Sequence, residues 1–405
     1  RAQSTFELHP PDAKALLERM VTSPGDLVPA DKVKFGQSVC MNKAGDRVAI
    51  GGNAHAKFTG SVYVYQLVKG MMGLSAAHWE MVQLFGSDTI PAEEKVPGDL
   101  RIVEKGSGFG FSCAFDATGD HLVIGAPGFN YGRGRVYIYH ASYRNKSASV
   151  PEFIEDPKPL ATGDFTLQNS DAFGWALAAS SDGTTLHVSA KGRKGNTGTV
   201  LPFRCAPGFY ACEWTADEIL PPVITNTPGP RGIRIKNNFG ISIAVSSDGR
   251  TLVVGNTGHN TEAGCAYVFI RHLPEKPDPV PSDTTDPFVW HYHARLEGST
   301  AQFSFFGYKV DIDAAGRTIV VGADGENEYK GAVYTFFRGS PRTPPPLPRD
   351  TPWTPGPVLR LADAQIEDNF GGAVALSHDG RVLLIGAPGV ACSRLPLSEE
   401  AAAAA

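Results

Sequence analysis

The sequence predicts an all-β chain, a β-propeller of four-stranded blades. The first observation is a repeat. The dipeptide Phe-Gly begins at Phe35, Phe109, Phe173, Phe239, Phe306 and Phe370, at intervals of 64 to 74 residues, and self-similarity at a fixed period marks a repeat architecture. The second is the pattern behind each copy: short apolar runs separated by a tight polar turn and a glycine-rich loop. The third is composition. Gly (45) and Pro (31) are abundant in 405 residues, and only residues 12–20 show good helical spacing, through Ala13, Leu16, Leu17 and Met20. That balance fits many strands joined by turns.

Each blade can be read strand by strand. Strand one comes directly after Phe-Gly and is short, with small or β-branched residues, as in Ser112–Phe115 and Ile241–Val245. A hairpin turn comes next. Ser181-Asp-Gly183, Ser247-Asp-Gly249 and His378-Asp-Gly380 carry Asp-Gly, whose two residues both accept positive φ. Asn42–Gly45, Asp116–Gly119 and Asp313–Gly316 read as longer turns. Strand two is apolar throughout, as in Leu122–Ile124, Leu252–Val254 and Leu383–Ile385, the pattern of a strand covered on both faces. Strand three alternates aliphatic and aromatic residues, as in Val136–Tyr139 and Val333–Phe336. A sheet with two apolar faces is sandwiched between others, as blades are around an axis. Strand four is less regular: Trp79–Leu84, Phe165–Leu167, Trp290–Leu296 and Val358–Leu361.

Residues 35–400 are therefore expected to form the propeller. The segment 1–34 is expected to complete the last blade, with Thr5–Leu8 as its outer strand, because the last module stops after strand two. Such closure leaves no open sheet edge. Six blades are expected; seven stay open if the chain continues past the alanine run 401–405. A net charge of -5 gives no electrostatic reason to expect nucleic acid. No run approaches the length of a membrane span.

Phe-Gly, then Gly125-Ala-Pro-Gly128, then Gly134-Arg-Val-Tyr-Ile-Tyr139 resemble the FG-GAP repeat of integrin alpha propellers. Gly386-Ala-Pro-Gly389 matches the motif literally and Gly322-Ala323 in part. The resemblance implies an extracellular or cell-surface propeller. It also implies calcium loops between strands one and two, but here three of these turns are a bare Asp-Gly pair. Such loops need several oxygen ligands within a few residues, so no cofactor is expected and Ca2+ stays only an option.

The loops between strands two and three are the candidate contact surface. They supply Phe58, Asn130, Tyr131, Arg133, His259, Asn260, Asn327 and Tyr329. Their mixed charge suits a protein partner, against the plain alternative of solvated loops. Asp324, Glu326 and Glu328 alternate like a weak metal loop; alternation in a solvated loop reads the same way. His291 and His293 share a strand face, but two ligands do not make a metal site. Cys205 and Cys212 have the spacing of a local disulfide, while Cys40, Cys113 and Cys265 read as small buried residues. Asn145-Lys-Ser147 is a glycosylation sequon, and the connections Leu273–Pro287 and Pro341–Pro357 are proline-rich. No nucleophile, metalloprotease or phosphate-loop motif occurs. The sequence thus points to a non-catalytic extracellular propeller for protein adhesion or assembly. A carbohydrate-binding propeller using Phe58, Tyr131 and Tyr329 is the alternative; a propeller enzyme is the third option.

Overall fold

The computed structural model describes residues 35–52, 59–68, 78–86, 106–143, 151–156, 160, 166–205, 212–214, 219, 221, 237–271, 290–339, 347–348 and 350–390. The expected helix at 12–20, the strand Thr5–Leu8, Phe58, Asn145, Cys392, the Leu273–Pro287 connection and residues 401–405 lie outside them. The chain divides into two compact units, Arg1–Leu160 and Ala161–Ala405.

The fold is a β-propeller of antiparallel four-stranded blades, each a simple meander. The first unit holds two blades. One is Phe35–Met41 (β1), Arg47–Gly52 (β2), Ser61–Val68 (β3) and His78–Gly86 (β4); the next is Ser112–Phe115 (β5), His121–Ala126 (β6), Arg135–Ser142 (β7) and Glu152–Glu155 (β8). The second unit begins with Phe173–Ala179 (β9), Thr185–Ala190 (β10), Thr199–Cys205 (β11) and Cys212–Trp214 (β12). The fourth blade is Phe239–Val245 (β13), Thr251–Asn256 (β14), Cys265–Arg271 (β15) and Trp290–Leu296 (β16). The fifth is Lys309–Ile312 (β17), Thr318–Ala323 (β18), Ala332–Arg338 (β19) and Trp353–Leu359 (β20). The sixth is seen as the hairpin Ala373–Leu376 (β21) and Leu383–Gly386 (β22).

Two outer strands differ from expectation. The fourth strand of the second blade is β8, not Phe165–Leu167. β20 starts at Trp353 and runs through Pro355 and Pro357. Proline is tolerated there because an outer strand has a free edge that needs no ladder donor.

The core lies between blades, as two-sided apolar strands require. Leu252, Val254, Cys265 and Tyr267 of the fourth blade meet Ala178 and Val200 of the third. Val253, Ala266 and Val268, on its other face, meet Ile319, Val321 and Phe336 of the fifth. The repeated phenylalanines Phe109, Phe239 and Phe306 have no exposed surface, each worth about 1.5–3 kcal/mol of burial. Each stacks edge-on or tilted against a strand-three tyrosine of its own blade: Tyr137, Tyr267 and Tyr334, at 5.2, 5.8 and 5.2 Å.

The glycines after strand two let adjoining blades touch. Phe306 N–H donates to Ala263 O (2.9 Å) and Phe370 N–H to Lys330 O (3.2 Å). The neighbouring Gly264 and Gly331 have φ of +85° and +81°, and a Cβ on either would strike the phenylalanine backbone of the next blade. The glycines within strand two do the same: a Cβ on Gly322 would meet the Gly371 carbonyl.

The six turns between strands one and two are one structure, not a short and a long class. In each, the glycine N–H bonds the carbonyl three residues earlier: Gly45 to Asn42, Gly119 to Asp116, Gly183 to Ser180, Gly249 to Ser246, Gly316 to Asp313 and Gly380 to Ser377. The expectation that both residues of Asp-Gly take positive φ is also corrected. Gly183, Gly249 and Gly380 have φ of 66°, 65° and 70°, and their aspartates do not share it. The polar residue that opens each turn holds it shut. Asn42 Oδ1 accepts from Arg47 N–H (3.0 Å), Ser180 Oγ from Thr185 N–H (3.0 Å), and Asp313 Oδ1 from Arg317 N–H (2.7 Å). These turns also link blades: in the second unit Ser181 N–H donates to Ser247 O, Ser247 N–H to Ala314 O and Ala314 N–H to His378 O, at 3.1–3.2 Å.

Cys205 and Cys212 form a disulfide that closes the β11–β12 hairpin. Cys40 and Cys113, expected to be buried thiols, form a second one, with Cα atoms 5.9 Å apart. It ties β1 to β5, the adjacent first strands of two blades. Cys265 is a buried free thiol.

Candidate functional site

The loops between strands two and three do not wander. In the second to fifth blades each is one compact turn whose residues wind to the left. Asn130 and Tyr131 have φ/ψ of 48/66° and 59/33°, Asn260 and Thr261 48/59° and 58/45°, Asn327 and Glu328 54/59° and 61/42°. Lys194 and Gly195 match them at 51/42° and 70/39°. A third residue continues the turn: Gly132, Asn196, Glu262 and Tyr329, with φ of 63–78°. Outside Gly and Asn, each such residue costs about 1–2 kcal/mol. The backbone demands it because the turn is pinned at both ends. Gly325 must be glycine, since a Cβ there would meet Phe303 O. Gly331 N–H closes the turn onto Glu326 O (2.9 Å).

The opening residue of each turn is an anchor, not a contact. Arg135 lies over the Phe129 ring, 5.3 Å from its centre. Arg193 pairs with the buried Asp171 at 3.0 Å. His259 is buried, with Nε2 3.8 Å from Glu297 Oε1; its burial, with Arg295 nearby, lowers its pKa. Glu326 is buried, accepts the Tyr334 hydroxyl (2.6 Å) and pairs with Arg360. Burial and this carboxylate push the Tyr334 hydroxyl up to about 12.

The residues expected to form one contact rim therefore separate. Tyr131 (85% exposed), Arg133, Asn260, Asn327 and Tyr329 face solvent, and Asn130 is half-buried. His259 is withdrawn into the blade. The acids Asp324, Glu326 and Glu328 likewise take three surroundings. Asp324 is pushed up to about 6 by burial, which the nearby Lys309 opposes, Glu326 is committed to Tyr334 and Arg360, and Glu328 points outward at the turn tip. Among the described residues no three His, Cys, Asp or Glu side chains converge as a metal would need. His293 Nε2 lies 3.2 Å from Thr351 O, in a groove of about 360 Å³ beside Trp353.

The turn face carries a cavity of about 450 Å³ between the fifth and sixth blades, lined by Tyr329, Ile366, Glu367, Asn369 and Gly389. Asn369 N–H donates to Tyr329 O (2.7 Å) and Glu367 N–H to Glu328 O (3.3 Å), which fixes the two walls together. Behind Tyr329 stand Phe305, with ring centres 6.2 Å apart, and then Phe303. Tyr329, Phe303 and Ile366 are 42%, 49% and 61% exposed. Of the lining residues the sequence had marked only Tyr329. The others sit just before Phe370 and just after strand two. A signal was present: Asn238, Phe305 and Asn369, each just before a Phe-Gly, have φ of 52–56°, and Asn at two of these positions suits that region.

No family model and no curated protein matches the chain. Solved structures with a similar fold include the periplasmic gluconolactonase PpgL of Pseudomonas aeruginosa, 14% identical over 87% of this chain and 78% of that one, TM-score 0.48. The β-propeller domain of Myceliophteria thermophila Cps50 (Swd1) is 11% identical over 86% and 80%, TM-score 0.41. TolB from Acinetobacter baumannii is 10% identical over 74% and 51%, TM-score 0.37. These likenesses speak to fold alone. Three expectations are withdrawn. The FG-GAP, integrin-like assignment finds no matching family model, and these propellers are not integrins. The adhesion or assembly role, with its carbohydrate-binding alternative, gains no support from them. The exclusion of an enzyme does not stand beside a propeller named as a gluconolactonase.

Proposed function

We propose that the protein is an extracytoplasmic ligand-binding propeller whose site is the groove between the turns of its fifth and sixth blades. One observation carries this reading. The turn backbone is the same from blade to blade, and at this groove exposed aromatic and apolar side chains from the fifth turn and the segment before Phe370 line a cavity of about 450 Å³. Binding sites combine apolar walls with a few placed polar groups, and Glu367 and Asn369 supply those. The cavity's size suits a small molecule or one side chain of a partner protein. Two disulfides fit an oxidising compartment, secreted or periplasmic.

A ligand-observed NMR screen of a fragment library tests this. Hits should be lost in Tyr329→Ala and kept in Tyr131→Ala, whose ring is more exposed but does not line this groove. Hits indifferent to Tyr329 would remove the groove from the account.

A further inference from the structure

Granting that the groove binds a ligand, we infer that the ligand is an organic cation on an apolar stem, of the guanidinium or alkylammonium class. The walls set the chemistry. Tyr329, backed by Phe305, offers an aromatic surface, and Ile366 offers an aliphatic one. The charged residue that lines the cavity is Glu367, and no lysine or arginine lines it. Glu328, on the adjoining turn, is a second exposed carboxylate, and its backbone carbonyl receives the Glu367 N–H (3.3 Å). Arg360, just past the fifth blade's outer strand, is engaged by the buried Glu326. An aromatic face with a carboxylate beside it attracts a cation through the ring quadrupole and through charge. An anion would meet two carboxylates and no cationic side chain among the residues that line the cavity. A neutral ligand could hydrogen-bond the exposed Glu367 carboxylate but would gain no charge attraction from it.

The groove itself holds its shape without a ligand. Glu367 and Asn369 have φ of 68° and 54°, and Gly389 packs where any Cβ would meet Glu367 O. Asn369 Nδ2 donates to Glu367 O (2.6 Å), which locks the wall on that side. A preformed wall lowers the ordering cost of binding.

Three probes of one shape separate the possibilities: butylguanidinium, the neutral isostere butylurea and the anion pentanoate. Binding is followed by NMR shift changes in the wild-type protein, Tyr329→Ala and Glu367→Gln. Butylguanidinium is expected to bind about 10-fold more tightly than butylurea, and to lose most of that preference in Glu367→Gln while the variant keeps wild-type amide shifts elsewhere. Equal binding of butylurea, or preference for pentanoate, overturns the cation assignment but leaves the groove as a site if Tyr329→Ala abolishes it. Butylguanidinium that fails to bind, where library fragments do bind at Tyr329, overturns the cation assignment alone. Absence of any Tyr329-dependent binding overturns both readings.

Discussion

His187 should make the protein acid-sensitive in a defined way. It lies in the middle of β10, fully buried, edge-on to Trp290 of the next blade with ring centres 5.0 Å apart. Neither ring nitrogen makes a full hydrogen bond, and the backbone of the paired Ala178 offers only a weak opposing pull. Burial, with Arg271 nearby, lowers its pKa from 6.5 to about 3. The unfolded chain therefore takes up a proton near pH 6.5 while the folded chain refuses it until about pH 3. Stability from this residue is complete above pH 6.5 and falls as pH drops through that window. Each unit costs about 1.4 kcal/mol, so about 3 kcal/mol is gone by about pH 4.5. His187→Leu keeps the volume and removes both orphan nitrogens, and such replacement is near neutral or stabilising at pH 7.5. Urea unfolding of both proteins at pH 7.5 and 4.5 isolates the term. Wild type should lose about 3 kcal/mol more than the variant on acidification. Equal losses would refute a neutral, unbonded histidine at this position.

Three further outcomes test the scaffold. Thr261→Gly should raise stability by about 1 kcal/mol, since a β-branched residue sits at φ +58° in the fourth turn; thermal unfolding reads this as a rise of about 1–2 °C. Gly322→Ala should cost about 3 kcal/mol or more, because the new Cβ meets the Gly371 carbonyl and backbone cannot yield cheaply; denaturant midpoints check it, with Gly36→Ala, which has open space but φ +88°, as a milder comparison. Replacing Cys40 and Cys113 by serine opens a closure of 73 residues, and urea unfolding should show a loss of about 4 kcal/mol.

The features legible in the sequence are the local ones. Strand two was readable because residues such as Leu252–Val254 are apolar on both faces, and every one of those three is buried. β8 was missed because Glu152–Glu155 has only two apolar residues, within a long connection. The Cys40–Cys113 disulfide depends on adjacent first strands of two blades, a relation that spacing along the chain does not carry. The left-handed turns were hidden for the same reason. Their cause is the approach of Gly325 to Phe303 O and its equivalents across the blade, and the asparagines at 130, 196, 260 and 327 are what betrays it locally. The separation of His259 and Glu326 from the exposed residues of their own turns needs the third dimension altogether: adjacent loop residues look alike in sequence, but the first of each turn points into the blade.

In the proposed site the turn backbone is scaffold, and the side chains of the fifth blade's turn carry recognition. Exchanging Glu328→Thr and Tyr329→Glu gives the fifth turn the tip of the fourth, whose φ/ψ values it already shares within a few degrees. Binding of groove fragments, measured by NMR alongside a urea midpoint, decides the matter. Stability is expected to stay within about 1 kcal/mol of wild type while binding disappears. Retained binding, or loss of binding only through a collapsed midpoint, would contradict it.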